Sequence, residues 1–314
     1  MARPIANPAH APARTRRRQR SSSLLRSALI AALVVTCSLA VPTMVNAVRG
    51  GSLVIASPQS PGSVEGQVAL GGLEQGACMS FGRGSKTVFV DAGHGGLDPG
   101  VVGGAGGQQV LEKDVTLAVA TRLAGLLEAD EYRVVLSRTE DTSVMKLDAG
   151  DSVTGALTVS AEHRDLAMRA ACANAAAASV LLSIHFDAFD DPAVGGTETF
   201  YDGARSFAPD NKRLAGDVQS ALVSALGTND RGVWTDDQVA APTLTPAGSA
   251  YGHLVVLGPA EPGYVDDPSQ MPGALVEPLF LTNPLEARVA SSAEGRQRMA
   301  VALKDGLEKY LAGS

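Results

Sequence analysis

Short unbroken apolar runs alternate along this chain with longer stretches in which apolar residues recur every three or four positions. Val88-Phe89-Val90, Val180-Leu181-Leu182-Ser183-Ile184 and Gly273-Ala274-Leu275-Val276 are too short for helices and read as buried strands. Tyr132–Leu136, Thr197–Tyr201 and His253–Leu257 read as further strands. Between them Val115, Val119, Leu123, Leu126 and Leu127 mark one face of a helix from Glu112 to Glu128. Ala161–Ala178 reads as a second helix, and Leu214, Val218, Leu222 and Ala225 mark a third. Asn283-Pro284 with Glu286 combines an N-cap, a proline at the first helical position and a capping-box partner. It opens a last helical region whose apolar face carries Met299, Leu303, Leu307 and Leu311. This alternation predicts one α/β domain over 87–312, a largely parallel twisted sheet flanked by helices.

The first 86 residues follow other rules. Residues 1–47 hold seven arginines, no acid, an apolar stretch from Ala28 to Val41 and a small-residue ending at Val45-Asn46-Ala47. That layout predicts a secretory signal peptide, with Pro42 and the small ending favouring cleavage over retention as an anchor. Residues 48–86 are rich in Gly, Ser and Pro without a sustained period and read as a flexible linker. No repeat of 20 to 50 residues is visible, so no array of repeated modules is expected.

Charge and cysteines narrow the partners. The chain of 314 residues has 26 basic and 33 acidic residues. Without the seven leader arginines it keeps 19 basic residues and a formal charge of −14. Nucleic acid and anionic membrane surfaces both need a positive footprint and are excluded as partners. Cys78 and Cys172 remain after the leader with its Cys37. Export permits a bridge between them, but a loose segment and an alanine-rich helix give little reason to expect one, and the sequence leaves the pairing open. No Cys-x-x-Cys spacing offers a thiolate metal site.

The strand ends carry the chemistry. Val88–Val90 leads through Asp91-Ala92-Gly93 to His94, Val180–Ile184 leads to His185, and Gly273–Val276 leads to Glu277. Glu112 opens the first predicted helix, near the positive end of its dipole. Singly, each reads as a packing histidine or a solvated acid. Sheet alternation gathers such positions on one edge, where α/β proteins place their sites. Two histidines and two glutamates there suit a catalytic zinc, with three protein ligands, an open fourth position and a carboxylate to spare as base. An acid between Ala-Leu-Val and Pro278-Leu279-Phe280 is partly buried, which is costly without a task.

The order Asp91-Ala92-Gly93-His94-Gly95-Gly96, Glu112-Lys113-Asp114, Ser183-Ile184-His185-Phe186-Asp187-Ala188 and Leu275-Val276-Glu277 resembles the zinc-dependent N-acetylmuramoyl-L-alanine amidases. The likeness continues through Ser137-Arg138-Thr139, Arg169, Ala173-Asn174, Arg231-Gly232-Val233 and Phe280-Leu281-Thr282-Asn283-Pro284. It covers roughly 87–312. It implies a peptidoglycan hydrolase that cuts between N-acetylmuramic acid and the L-alanine of the stem peptide. It also implies Zn2+ held by His94, Glu112 and His185, with Glu277 as general base. Pro278-Leu279 departs from the usual small residue after the glutamate, and Thr142–Glu162 is longer than a minimal member requires. Neither departure removes a ligand. The rival readings are another zinc amidohydrolase or peptidase of cell-wall peptides, and a non-catalytic peptidoglycan-binding relative. A lost ligand or a lost Glu277 would mark the last of these.

The remaining candidates read as supporting. Asp91 serves either to orient a liganding imidazole or to cap the loop. Asp98 and Asp187 read as turn residues, Arg138 and Arg169 as structural ion-pair partners, and His163 and His253 as incidental. Trp234, the only tryptophan, gives no sugar-stacking platform. Thr142–Ser160 is expected to border the cleft, and no long autoinhibitory helix is expected before Glu277. The protein is expected to be an exported monomer of the periplasm or cell envelope, acting on peptidoglycan, with any activator protein unspecified.

Overall fold

The computed structural model describes residues 61–62, 64–238 and 250–313. The leader lies outside the described residues, as does the segment 239–249. Among the described residues no helix is long and apolar enough to cross a membrane.

An eight-stranded sheet forms the centre. Its strands are β1 (Val64–Gln67), β2 (Ala77–Phe81), β3 (Thr87–Ala92), β6 (Arg133–Arg138), β9 (Val180–Ile184), β10 (Thr197–Tyr201), β11 (Asp230–Thr235) and β12 (Gly273–Glu277). They lie in the order β1-β2-β6-β3-β9-β12-β10-β11. The inner four, β6-β3-β9-β12, are mutually parallel, while β2 and β10 join them antiparallel. Two small hairpins stand apart, β4 (Val102–Ala105) with β5 (Gln108–Leu111) and β7 (Ser152–Val153) with β8 (Ala156–Leu157).

Helices cover both faces, which is why the inner strands are apolar without alternation. On one face α1 (Glu112–Ala129), α3 (Ala208–Leu226) and α5 (Ala293–Ala312) bury Val115, Leu123, Leu214, Val218, Leu303 and Leu307 against Val88, Val90 and Leu182. On the other, α2 (Val159–Ala175) and the segment around Val256-Leu257 cover Phe89, Val135 and Leu181. Helix α4 (Pro284–Ser291) starts as expected, with Asn283 accepting from the N–H groups of Leu285 and Glu286.

Two expectations are corrected and one open pairing is resolved. The 48–86 linker holds two strands, β1 and β2, and β2 pairs with β6 to cover what would be an open sheet edge. Cys78 on β2 and Cys172 on α2 form a disulfide, their Cα atoms 6.0 Å apart and both side chains fully buried. The sequence hid this because β2 is short and glycine-flanked, so nothing local tied it to the sheet. His253–Leu257 is a turn rather than a strand, and its apolar residues are buried beneath no sheet partner.

Candidate metal centre

Register brings the site together. Ala92 pairs with Ile184 and Ile184 with Val276, so β3, β9 and β12 end side by side. The residues just past those ends, or at them, are His94, His185 and Glu277. Gly93 is required here because a Cβ would lie 2.5 Å from the His185 ring. His94 itself adopts φ 61°, a left-handed conformation uncommon for a residue with a Cβ. Glu112 comes from the first residue of α1, and its carboxylate passes within 2.5 Å of where a Cβ on Gly100 would stand.

His94 Nε2, His185 Nδ1 and Glu112 Oε1 form a nearly equilateral triangle. The separations are 3.0 Å (His94–Glu112), 3.2 Å (His185–Glu112) and 3.2 Å (His185–His94). The three could hold a metal ion. Glu112 is almost fully buried and fixed at both oxygens, Oε2 accepting from Val101 N–H at 2.7 Å and Oε1 from Phe186 N–H at 2.8 Å. Burial alone would raise its pKa, but the two imidazoles outweigh that and hold it well below the usual range. Burial likewise opposes a charge on His94, yet Glu112 and Asp98 push it up to about 10.

Asp98 is more than the expected turn residue. Its Oδ2 lies 2.7 Å from His94 Nδ1, while Oδ1 accepts from Gly100 N–H. It fixes the imidazole so that Nε2 faces the triangle. Asp91 does not touch an imidazole. It accepts from Arg169 Nη1 at 2.7 Å and from Ser183 Oγ at 2.7 Å. Burial opposes its charge, but Arg169 dominates and lowers its pKa. Arg169, paired also with Asp165, donates to the carbonyls of Ala92 and His94, so the expected ion pair doubles as a clamp on the His94 turn. Arg138 is fully buried and donates to the carbonyls of Ala92, Gly93 and Lys113, binding main chain in place of the expected carboxylate.

Glu277 shares a cavity of about 290 Å³ with His94 and His185, whose other walls include Leu157, Leu254 and Val256. Leu157 belongs to the segment expected to border a cleft. The Glu277 Oε2 atom is buried without a hydrogen-bond partner. Burial, then the charges of Glu112, Asp187 and Glu198, raise its pKa well above 4.5. Two of those acids went unremarked in the sequence or were read as turns. Glu198 lies directly across from Glu277 in the β10–β12 ladder and is paired to Arg231 at 3.1 Å. Burial and Glu198 together push Asp187 up to about 7. Only the inward register of Glu198 in Thr197–Tyr201 could have signalled this.

His163 stacks on Tyr264 with ring centroids 4.1 Å apart, a packing role. His253 is not incidental: it meets Asp202 and Asp236.

Residues 88–309 match the family model described as N-acetylmuramoyl-L-alanine amidase. The chain is 33% identical over 225 residues to N-acetylmuramoyl-L-alanine amidase LytC of Bacillus subtilis, an alignment covering 72% of this chain and 35% of LytC. It is 29% identical to the germination-specific N-acetylmuramoyl-L-alanine amidase of the same organism, covering 72% of this chain and 79% of that one. Among solved structures it resembles the CwlD amidase from Clostridioides difficile, determined in complex with the GerS lipoprotein. The TM-score there is 0.57 at 27% identity, over 73% of this chain and 100% of CwlD. The chain belongs to the N-acetylmuramoyl-L-alanine amidase family.

Proposed function

We propose that this protein is an exported zinc hydrolase of peptidoglycan that cleaves the amide between N-acetylmuramic acid and the L-alanine of the stem peptide. The observation that carries the reading is the triangle of His94, Glu112 and His185 beside an unpartnered buried oxygen of Glu277. Tetrahedral zinc with ligands at about 2.0–2.1 Å separates them by roughly 3.3 Å, close to the distances here. Two imidazoles and one carboxylate match a three-ligand catalytic zinc set. When bound, zinc supplies Lewis acidity that polarises the amide carbonyl and brings water ionisation near neutral pH.

The chain's own groups then divide the work. Asp98 holds the His94 ring in its liganding tautomer, and Arg169 and Arg138 hold the turn that presents it. Glu277 takes the proton of the attacking water and returns it to the departing amine of L-alanine. A cation held by His94, Glu112 and His185 would oppose the neighbouring carboxylates and favour the ionised form of Glu277. Leu157, Leu254 and Val256 give the cavity apolar walls that exclude bulk water.

The buried Cys78–Cys172 bridge suits an oxidising compartment and supports export through the leader. We expect the isolated chain to act as a monomer with basal activity. Helix α3, between His185 and Glu277, buries Leu214, Val218 and Leu222 in the core. The test is digestion of purified peptidoglycan with and without chelator, the products identified by mass. Free L-alanine amines beside intact muramic acid, lost with chelator, support the reading. Cleavage only within the peptides points to a peptidase, and no cleavage points to a binding protein.

A further inference from the structure

A second cluster forms at the opposite edge of the sheet, because β10 runs antiparallel to β12 and ends beside its start. Tyr201 of β10 pairs with Thr235 of the parallel β11, so the next residues, Asp202 and Asp236, emerge side by side. His253 folds back onto both. Its Nδ1 lies 2.9 Å from Asp202 Oδ2 and 3.3 Å from Asp236 Oδ1. Both carboxylates are buried, Asp202 completely.

Each aspartate commits one oxygen to the main chain and leaves the other facing the imidazole. Asp202 Oδ1 accepts from the N–H groups of Ala204 and Arg205, and Asp236 Oδ2 accepts from Leu254 N–H. Asp202 Oδ2 is buried and faces only that imidazole, with no other partner. The nearby Arg205 directs its guanidinium to the carbonyls of Leu257, Gly258 and Ser269. Two buried carboxylates thus share a single imidazole, an arrangement that is costly without a further cation. The three candidate ligand atoms lie within 4.8 Å of one another.

We propose that Asp202 Oδ2, Asp236 Oδ1 and His253 Nδ1 form a second metal site, taking a divalent transition-metal ion. The imidazole nitrogen favours zinc over calcium or magnesium, which take oxygen ligands. The ion would tie Asp236, just past the end of β11, to His253. Leu254 and Val256, which follow at once, wall the cavity holding His94, His185 and Glu277. The second site is therefore structural, a clip on the cavity wall.

The test is zinc stoichiometry on the full exported chain, saturated with zinc, freed of loose metal by gel filtration and measured by mass spectrometry of the element. Expected values are two zinc per chain for the wild type, one for His253→Ala, one for His185→Ala and none for the double variant. Asp202→Asn preserves shape and covers the case in which His253→Ala fails to fold; it should also bind one. A second reading comes from melting: chelator should still lower the Tm of folded His185→Ala by several degrees. If His253→Ala and Asp202→Asn keep the wild-type zinc content, the proposal is overturned and the cluster is a salt-bridged imidazolium. If only His185→Ala keeps it, the first site is the one misassigned.

Discussion

Glu112→Gln and Glu277→Gln remove one negative charge each, and the structure assigns them opposite consequences. Glu112 accepts two main-chain N–H groups on separate oxygens, from Val101 and Phe186. A glutamine has one acceptor oxygen, so one of those buried donors is left facing an NH2 group, at a cost of about 1–3 kcal/mol. In the metal-free protein it also forfeits the pairing that pushes His94 up to about 10. For a domain of this size, each kcal/mol moves Tm by roughly 2–4 °C. Metal-free Glu112→Gln should therefore melt about 2–12 °C below wild type, and its zinc content should fall.

Glu277 differs because its Oε2 has no donor to lose. Its folded pKa is raised, so the wild-type carboxyl contributes stability below the usual value of 4.5 and loses it as pH rises toward the folded pKa. Glutamine mimics the protonated form at every pH. Metal-free Glu277→Gln should match wild type at pH 4 and melt at or above it at pH 7. Zinc should stay bound while hydrolysis drops by roughly 10²–10⁴-fold, the loss typical of removing an acid–base group. Metal analysis, calorimetry with and without chelator and dye release from labelled peptidoglycan read all three quantities. Zinc loss in Glu277→Gln with retention in Glu112→Gln would falsify the assignment of ligand and base.

Three further outcomes are expected. Asp98→Asn should weaken zinc binding by about 10–100-fold while sparing the fold, because it disturbs only the group orienting His94; competition with a chromophoric chelator measures it, and unchanged affinity refutes the role. Reduction of Cys78–Cys172, or Cys78→Ser with Cys172→Ser, reopens a loop with sequence separation 94. The chain-entropy relation gives a loss of about 4.7 kcal/mol, and an unchanged denaturant midpoint would contradict it. Asp91 has a lowered pKa, so its stabilisation is present above about 3.8 and lost as pH falls through the folded value. Asp91→Asn should be less stable than wild type at pH 7 and should lose less on acidification below pH 4, as followed by circular dichroism.

The inner strands were legible because burial on both faces leaves an unbroken apolar run, and β3, β9 and β12 are such runs. Glu112 was legible as a helix opening because apolar periodicity starts just after it. What stayed hidden was set by partners far away in sequence. β1 and β2 are short edge elements, β2 held by the open side of β6 and β1 in turn by β2. His253–Leu257 is as apolar as a strand, yet its residues fill the space between α2 and the sheet without joining a ladder. Asp98 and Asp91 differ in role for a reason that no local pattern carries. Asp91 points from β3 toward Arg169 on α2, whereas Asp98 lies beyond the glycine turn that returns the chain to His94.

The corrected N-terminal segment bears on the site through a continuous path. Cys78 on β2 is bonded to Cys172 on α2. One turn earlier on α2, Arg169 grips the carbonyls of Ala92 and His94 and the carboxylate of Asp91. Those carbonyls need a fixed cation because His94 holds a left-handed conformation that a residue with a Cβ adopts at some cost. A helix that could slide along the sheet would not hold a guanidinium within 2.8 Å of two carbonyls at once. The disulfide prevents that slide by anchoring α2 to a strand paired into the same sheet. The segment that looked like a tether is thus part of what keeps the His94 turn in its strained form.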